Sequence, residues 1–271
     1  CNPAPLQESA AMKGKRIILT GAAGGLGTHL ARLLSAEGAS LCLTDINEQA
    51  LQDVRQQLSG APVHSIAGNI TDAASREEIV AGALHEFGGV DILINAAGIN
   101  PFGVFAKQDP ALIQCTIEIN TLGPMLLARA VLPTMLEQNS GQIVNIGSTF
   151  GSIGFAWFSA YSASKYALRG FSQALRRELA ETGVRVTYIA PRAVRTAINS
   201  QAVYDMAEAI KMNMDEPDDV ARQIVKNIRK CVKECYLGFP ESLFVRINAI
   251  LPGLVDRAVR EQNRQAQKNA E

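Results

Sequence analysis

The sequence predicts an α/β protein, a doubly wound parallel sheet of about seven strands with helices on both faces and a single domain. Three observations predict it. Short apolar runs alternate with amphipathic stretches roughly every thirty residues, the rhythm of right-handed βαβ units. The run VDILINAAG (90–98) is almost continuously apolar, as a strand covered on both faces must be. No linker, composition break or internal repeat divides the 271 residues, and 47% hydrophobic with 19% charged residues excludes disorder.

The elements follow in order. Residues 1–13 show neither helical nor strand period and read as a flexible lead-in. RIILT (16–20) is a strand, and GLGTHLARLLSAEG (25–38) is a helix closed by glycine. SLCLTD (40–45) and NEQALQDVRQQL (47–58) repeat the pair. PVHSIAGN (62–69) is a third strand, and TDAASREEIVAGALHEFG (71–88) opens on Thr and acidic residues, as a helix does. After the 90–98 strand a long helix covers about 109–138, then strand GQIVNIGS (141–148), a helix over about 159–181 and strand VRVTYIA (184–190). EPDDVARQIVKNIRK (216–230) is a helix and ECYLGF (234–239) a strand, which close a domain spanning 14–240. Residues 241–271 form an amphipathic tail in which Pro252 interrupts any single long helix.

Composition removes several function classes. Lys plus Arg and Asp plus Glu both total 26, so no basic surplus points to nucleic acid. Cys1, Cys42, Cys115, Cys231 and Cys235 are scattered, which suits a reduced, cytoplasmic setting, and neither they nor His29, His64 and His85 have metal-ligand spacing. No charge-free apolar run reaches the roughly 18 residues of a membrane span. The apolar side of the tail can pack on a neighbouring subunit, cover a cleft or rest on a membrane surface, and packing within an assembly is the expected use.

The chemistry concentrates at predicted carboxyl ends of strands, where open parallel sheets bind ligands. TGAAGGLG (20–27) joins the first strand to the first helix, and such a turn brings backbone N–H groups and a helix dipole to a pyrophosphate. The loop fits both TGxxxGxG (Gly21, Gly25, Gly27) and TGxxGxxG (Gly21, Gly24, Gly27). Asp45 ends the second strand about 20 residues on, where a carboxylate can take both ribose hydroxyls of NAD or cap the next helix. It would repel the 2′-phosphate of NADP, and neither Gly24 nor Ile46 supplies a compensating charge. NAD is therefore expected over NADP. YSASK sets Tyr161 and Lys165 on one helix face, and Ser148 ends the fifth strand. Oxidising an alcohol by hydride loss needs a base for the hydroxyl proton, and a tyrosine titrating near pH 10 needs nearby positive charge to serve. Lys165 and an oxidised nicotinamide would together provide it.

Jointly, TGAAGGLG, NAAG (95–98), Asn120 in EINTLG, Ser148 in VNIGS and YSASK (161–165) resemble the compact, single-domain branch of the short-chain dehydrogenase/reductases, over about residues 14–240. The resemblance implies a Rossmann-type fold and selects TGxxxGxG. It implies Tyr161 as acid/base, Lys165 as its tuner and ribose ligand, Ser148 as substrate-orienting and Asn120 as anchor of a proton-relaying water. By position it further assigns Gly21, Gly25, Leu26, Gly27, Asp45, Asn69, Ile70, Asn95, Ala96, Gly98, Pro191, Val194 and Thr196 to the cofactor, with no metal. Asn95 also looks structural, between the central strands. Two departures stand out. Asn69 replaces a frequent aspartate, its amide oxygen still able to accept from adenine, and Arg192 replaces a usual glycine, where local pairing is expected over contact with an anionic substrate. Phe150, Ile153, Phe155, Trp157 and Phe158, with Ile198, Val203, Tyr204 and Met206, are candidates to wall a pocket that lacks the polar groups a sugar needs. The expected substrate is an apolar secondary alcohol or ketone. An NADP-dependent ketoreductase of acyl-type substrates and a non-catalytic dinucleotide-binding protein are the alternatives. The apolar helices around 109–138 and 159–181 predict a homo-oligomer, tetramer or dimer.

Overall fold

The computed structural model describes residues 12–270; most of the expected lead-in, Cys1 included, lies outside the described residues. Seven parallel strands form one sheet: β1 (Arg16–Thr20), β2 (Ser40–Asp45), β3 (Val63–Ala67), β4 (Ile92–Asn95), β5 (Gly141–Ile146), β6 (Val184–Ala190) and β7 (Glu234–Tyr236). Their spatial order is β3-β2-β1-β4-β5-β6-β7, so the chain winds outward from β1, returns, and winds outward again from β4. The carboxyl ends of β1 and β4 therefore flank the switch point where such sheets open a crevice.

Strand alternation builds the two faces. Ile17, Leu19, Leu41, Leu43, Ile92 and Ile94 pack on one side, under α1 (Gly25–Ala36) and α8 (Pro217–Arg229). Ile18, Cys42 and Leu93 point to the other, under α3 (Ala73–Phe87), α5 (Gly123–Glu137) and α6 (Ser159–Glu178). Met12, at the edge of the expected lead-in, is buried in the first of these clusters. Helix starts follow their caps: Asn47 accepts from Ala50 N at 3.0 Å to open α2 (Glu48–Gln56), and Asp72 accepts from Ser75 N at 2.8 Å to open α3.

Differences from expectation have local causes. β4 stops at Asn95 because Thr20 Oγ1 takes the N–H groups of Ala96 and Ala97, both at 3.1 Å, away from the ladder. The helix expected over 109–138 is α4 (Pro110–Ile117) and α5 joined by a π-helical turn, Glu118–Leu122. This run is long and apolar enough to cross a membrane by length and composition, yet it buries Leu127, Ala128, Val131 and Met135 against the sheet. A further helix, α7 (Gln201–Ala209), stands in a stretch without an assigned element. The tail forms α9 (Glu241–Ile250), α10 (Pro252–Ala258) and α11 (Arg260–Ala270). Ala266 of α11 is buried with Phe155, Phe158, Val203, Met206 and Ile210 in a third apolar cluster, outside the sheet.

Candidate active site

The glycine turn is packed so tightly that side chains have no room. Gly21 has φ 66°, and a Cβ there would stand 2.8 Å from the backbone of Ala97. At Gly25 a Cβ would meet Thr196 Cβ at 2.7 Å, and at Gly27 it would strike the carbonyl of Gly21. Gly24 is less confined, with only Gly21 O near, at 3.2 Å. The steric demand thus falls on positions 21, 25 and 27, the TGxxxGxG reading. Leu26 follows in the first turn of α1, and Thr196 closes the loop from the far side.

Asp45 does not cap the next helix, since Asn47 fills that place. Its carboxylate accepts from Ala23 N at 3.0 Å and from Asn47 N at 3.1 Å, on the rim of the cleft. Asn69 Oδ1 is occupied locally, accepting from Thr71 N at 3.0 Å and Thr71 Oγ1 at 2.9 Å. Ile70 is buried against Gly123. Asn95 donates to Asn145 Oδ1 at 2.9 Å, tying β4 to β5, and Asn145 passes the chain on to Ser172 Oγ at 2.8 Å. The Oδ1 of Asn95 is buried without a partner, a demanding state for an amide oxygen.

The π-helical turn carries Asn120 inward. Its Oδ1 accepts from Ile99 N at 2.9 Å, and its Nδ2 donates to Ile99 O at 2.9 Å and Ser164 Oγ at 3.0 Å. Such turns recur where a helix must aim a side chain at a functional site. Gly98 passes directly over it, 3.0 Å from Asn120 Oδ1 at its Cβ position. Ser148 lies just past β5, accepts from Phe150 N at 3.1 Å, and its hydroxyl meets the Tyr161 phenol. One turn of α6 beyond Tyr161, Lys165 is buried, with Nζ 3.1 Å from Ile146 O and 5.7 Å from the Tyr161 ring centre.

Burial dominates the titration of this pair. It pushes the Tyr161 phenol up to about 12, against the lowering effect of the Ser148 hydroxyl, and pushes Lys165 down to about 8. In the chain alone, then, Lys165 does not draw the phenol below its usual range.

Beyond β6, Pro191, Val194 and Thr196 line the same cleft. Arg192 pairs locally: Nε donates to Asp215 Oδ2 at 2.9 Å, Nη2 to Asp215 Oδ1 at 2.6 Å, and Nη1 to Glu241 Oε2 and Phe239 O, both at 3.1 Å. Asp215 and Glu241 hold this guanidinium above its ordinary range. Its stem crosses Gly238, which has φ 93° and no Cβ to obstruct it. One side chain thus ties the loop after β6 to residues 213–216 and to the start of the tail.

The cleft holds about 800 Å³. Phe150, Ile153, Phe155, Phe158, Ile198, Val203 and Met206 line it as expected. Trp157 and Tyr204 do not. The Trp157 indole donates to Asn263 O at 3.4 Å under the tail, and Tyr204 donates to Thr196 O at 2.9 Å, bracing the loop after β6. The tail itself supplies the missing wall: Phe244, Val255, Ala258 and Val259 face the cleft, and α11 packs on α7 of its own chain. Within its own chain the tail covers the cleft. Sequence reasoning also missed Tyr188, buried in β6 with its hydroxyl 3.3 Å from Ser148 O, its ring against Gly147 and its hydroxyl against Gly151. It supports the Ser148 turn from below, and only the two glycines opposite it signalled its presence.

Comparison with known proteins agrees with this geometry. Residues 15–207 match the sequence profile described as short chain dehydrogenase. The bovine (Bos taurus) dehydrogenase/reductase SDR family member 7B is 32% identical over 97% of this chain and 86% of its own. An uncharacterised oxidoreductase of Staphylococcus aureus strain USA300 is 37% identical over 78% of this chain and 89% of its own. Among solved structures, levodione reductase superposes with TM-score 0.77 and 25% identity over 85% of this chain and 98% of its own. A 3-ketoacyl-(acyl-carrier-protein) reductase from Brucella melitensis, solved with NADH, shares the fold at TM-score 0.77 and 24% identity, over 85% and 99%.

Proposed function

The chain belongs to the short-chain dehydrogenase family of oxidoreductases, and on that premise we propose that it interconverts an apolar secondary alcohol and its ketone with NAD, Tyr161 serving as acid/base. The observation that carries the reading is convergence. Ser148, Tyr161 and Lys165 share one cleft with the glycine turn and Asp45, and the space between them is walled by aromatic and aliphatic side chains.

The residues present fit a nicotinamide dinucleotide. Gly21, Gly25 and Gly27 leave a backbone cradle that a Cβ would fill, and the Asp45 carboxylate stands at the cleft rim with uncharged Gly24 and Ile46 beside it. A 2′-phosphate there would face a carboxylate and no cation, so NAD is favoured over NADP. Gly21, Gly25, Leu26 and Gly27 would hold the pyrophosphate end, Asp45 a ribose, Asn69 and Ile70 the adenine side, and Pro191, Val194 and Thr196 the nicotinamide end. When bound, the cofactor supplies the hydride acceptor or donor. The protein's own part is proton management. The Ser148 hydroxyl holds the substrate oxygen, and Tyr161 Oη takes the hydroxyl proton in oxidation or returns it in reduction. A phenol at about 12 is ready to donate; to accept, it needs the Lys165 charge and the Ser148 hydrogen bond to stabilise the phenolate. Asn120, fixed by three hydrogen bonds, would anchor a proton path beside Lys165.

Exposed Leu112, Ile117, Leu122 and Leu136 on α4–α5 and Tyr166 on α6 support a homo-oligomer, which light scattering tests. The functional test is an NADH-absorbance screen of aliphatic, steroidal, hydroxyacyl and polyol alcohols with both cofactors. Turnover of hydrophobic alcohols with NAD is expected; best efficiency on a polyol, or with NADP, overturns the reading.

A further inference from the structure

The turn between α9 and α10 exposes six consecutive residues, Ala249 to Leu254, none of them charged. Ile250, Leu251 and Leu254 are 78%, 58% and 54% exposed. Apolar residues shown singly need no explanation, but a contiguous apolar turn joining two helices does. The rest of the tail has packed: Val245, Val255 and Ala266 are buried, and α11 lies on α7 of the same chain. The turn is the most exposed apolar part of the tail, above Leu243 at 46% and Phe244 at 40%.

Its charges are arranged around it. Arg246 precedes Ile250 by four residues on α9, and Arg257 follows Leu254 by three on α10, with Arg260 one turn further along the chain; all three are exposed. At 1.5 Å of rise per residue the first two guanidinium stems start about 4.5–6 Å behind the apolar turn on both helices. Asp256 is the sole carboxylate from Ser242 to Arg260, so three arginines face one acid. An apolar tip backed by a basic collar suits an interface in which hydrocarbon lies about 5–10 Å below anionic headgroups. A second copy of this chain would meet the collar with three arginines of its own.

We propose that the α9–α10 turn docks the protein on an anionic lipid surface, inserting Ile250, Leu251 and Leu254 while Arg246, Arg257 and Arg260 meet the headgroups. The exposed strip continues along α9 through Leu243 to Phe244, which lines the cleft. Docking therefore opens the cleft beside the bilayer. What enters by that route, a bilayer-dissolved alcohol or ketone, rests on the function proposed above; the docking itself does not.

The test is co-sedimentation of the full chain with vesicles of phosphatidylcholine alone and of phosphatidylcholine with phosphatidylglycerol, without substrate or cofactor. The parent protein should sediment with the anionic vesicles at least tenfold more tightly than with the neutral ones. I250E/L251E/L254E should lose at least tenfold of that binding, and R246A/R257A/R260A should lose the preference for anionic vesicles. Turnover of a small water-soluble alcohol, and circular dichroism, should be the same in all three proteins, because none of these residues lines the cleft. A parent that stays in the supernatant with both vesicles overturns the proposal, and so does an I250E/L251E/L254E protein that sediments like the parent. A parent that stays in the supernatant while its mass by light scattering falls in I250E/L251E/L254E makes the turn a subunit contact instead. Inertness toward every alcohol, with sedimentation intact, removes the enzymatic reading and leaves the docking standing.

Discussion

The two walls of the cleft are built on opposite principles. The cofactor wall is mainly backbone against backbone, with Gly21 on Ala97 and Gly27 on the Gly21 carbonyl, and the Asp45 carboxylate accepts from the Ala23 amide at its rim. The substrate wall is side chain against side chain, with Phe150 stacked on Phe155 at 5.0 Å, Phe158 tilted against Phe102 at 4.9 Å, and helices from two distant parts of the chain laid over them. A backbone cradle tolerates almost no substitution and accepts one shape. A side-chain wall can be recut residue by residue, which is where members of one fold can differ in what they bind.

Four measurements break or sharpen this contrast. The largest effect is expected between the walls: Tyr161→Phe should lower turnover by roughly 10²–10⁴-fold while the dissociation constant for NAD changes little, because only an ionisable hydroxyl is lost. A Phe variant with most of the parental rate removes Tyr161 from the chemistry. Lys165→Met tests the buried charge. The fall from 10.5 to about 8 corresponds to on the order of 3 kcal/mol held against the charged form. Unfolded chains bind that proton up to 10.5 and the folded protein only to about 8, so this term raises stability as pH climbs through that window. Denaturant midpoints should show the parent gaining on Lys165→Met from pH 8 to 10, a difference that cancels the opposing contributions of Cys42 and Tyr161; parallel curves would contradict it.

On the cofactor wall, Asp45→Ala should weaken NAD by roughly 10–100-fold and leave NADP nearly unchanged, since hydrogen bonds to a charged group are worth about 1.5–3 kcal/mol. Fluorescence titration of both cofactors decides, and equal losses would place Asp45 in loop structure alone. The smallest effect is expected where the walls meet. Arg192→Gln should raise KM for the alcohol by about tenfold with kcat and NAD affinity largely kept, because it loosens the strap between the loop after β6, residues 213–216 and the tail without touching the glycine turn. Arg192→Lys should recover only part of the loss, as a point charge cannot reproduce the bidentate grip on Asp215.

The cofactor wall was the more legible in the sequence, and the contrast explains why. A backbone packed on backbone demands glycine, so Gly21 and Gly27 announce themselves, while Gly25 was preferred to Gly24 only through the resemblance; a strand covered on both faces reads as an apolar run. The substrate wall leaves no such trace. Phe244 and Val255 reach the cleft only because α9 and α10 turn back across it, and nothing in an amphipathic period says which surface it will cover. Trp157 read as pocket wall because its neighbours are, yet its φ of 71° swings it under the tail. Tyr188 was legible only as part of the VRVTYIA strand, and its hydroxyl contact with the Ser148 turn depends on register between β5 and β6. Arg192 was visible as an oddity; its partners Asp215 and Glu241, 23 and 49 residues away, were not.

The third apolar cluster shares no residue with the two that hold the sheet. Phe155, Phe158, Val203, Met206, Ile210 and Ala266 can therefore be varied as a set, with the melting behaviour of the sheet serving as a fixed background. A library confined to those six positions would explore ligand preference while drawing little on the stability of the scaffold, which makes the distal cluster the place from which this protein is most readily retargeted.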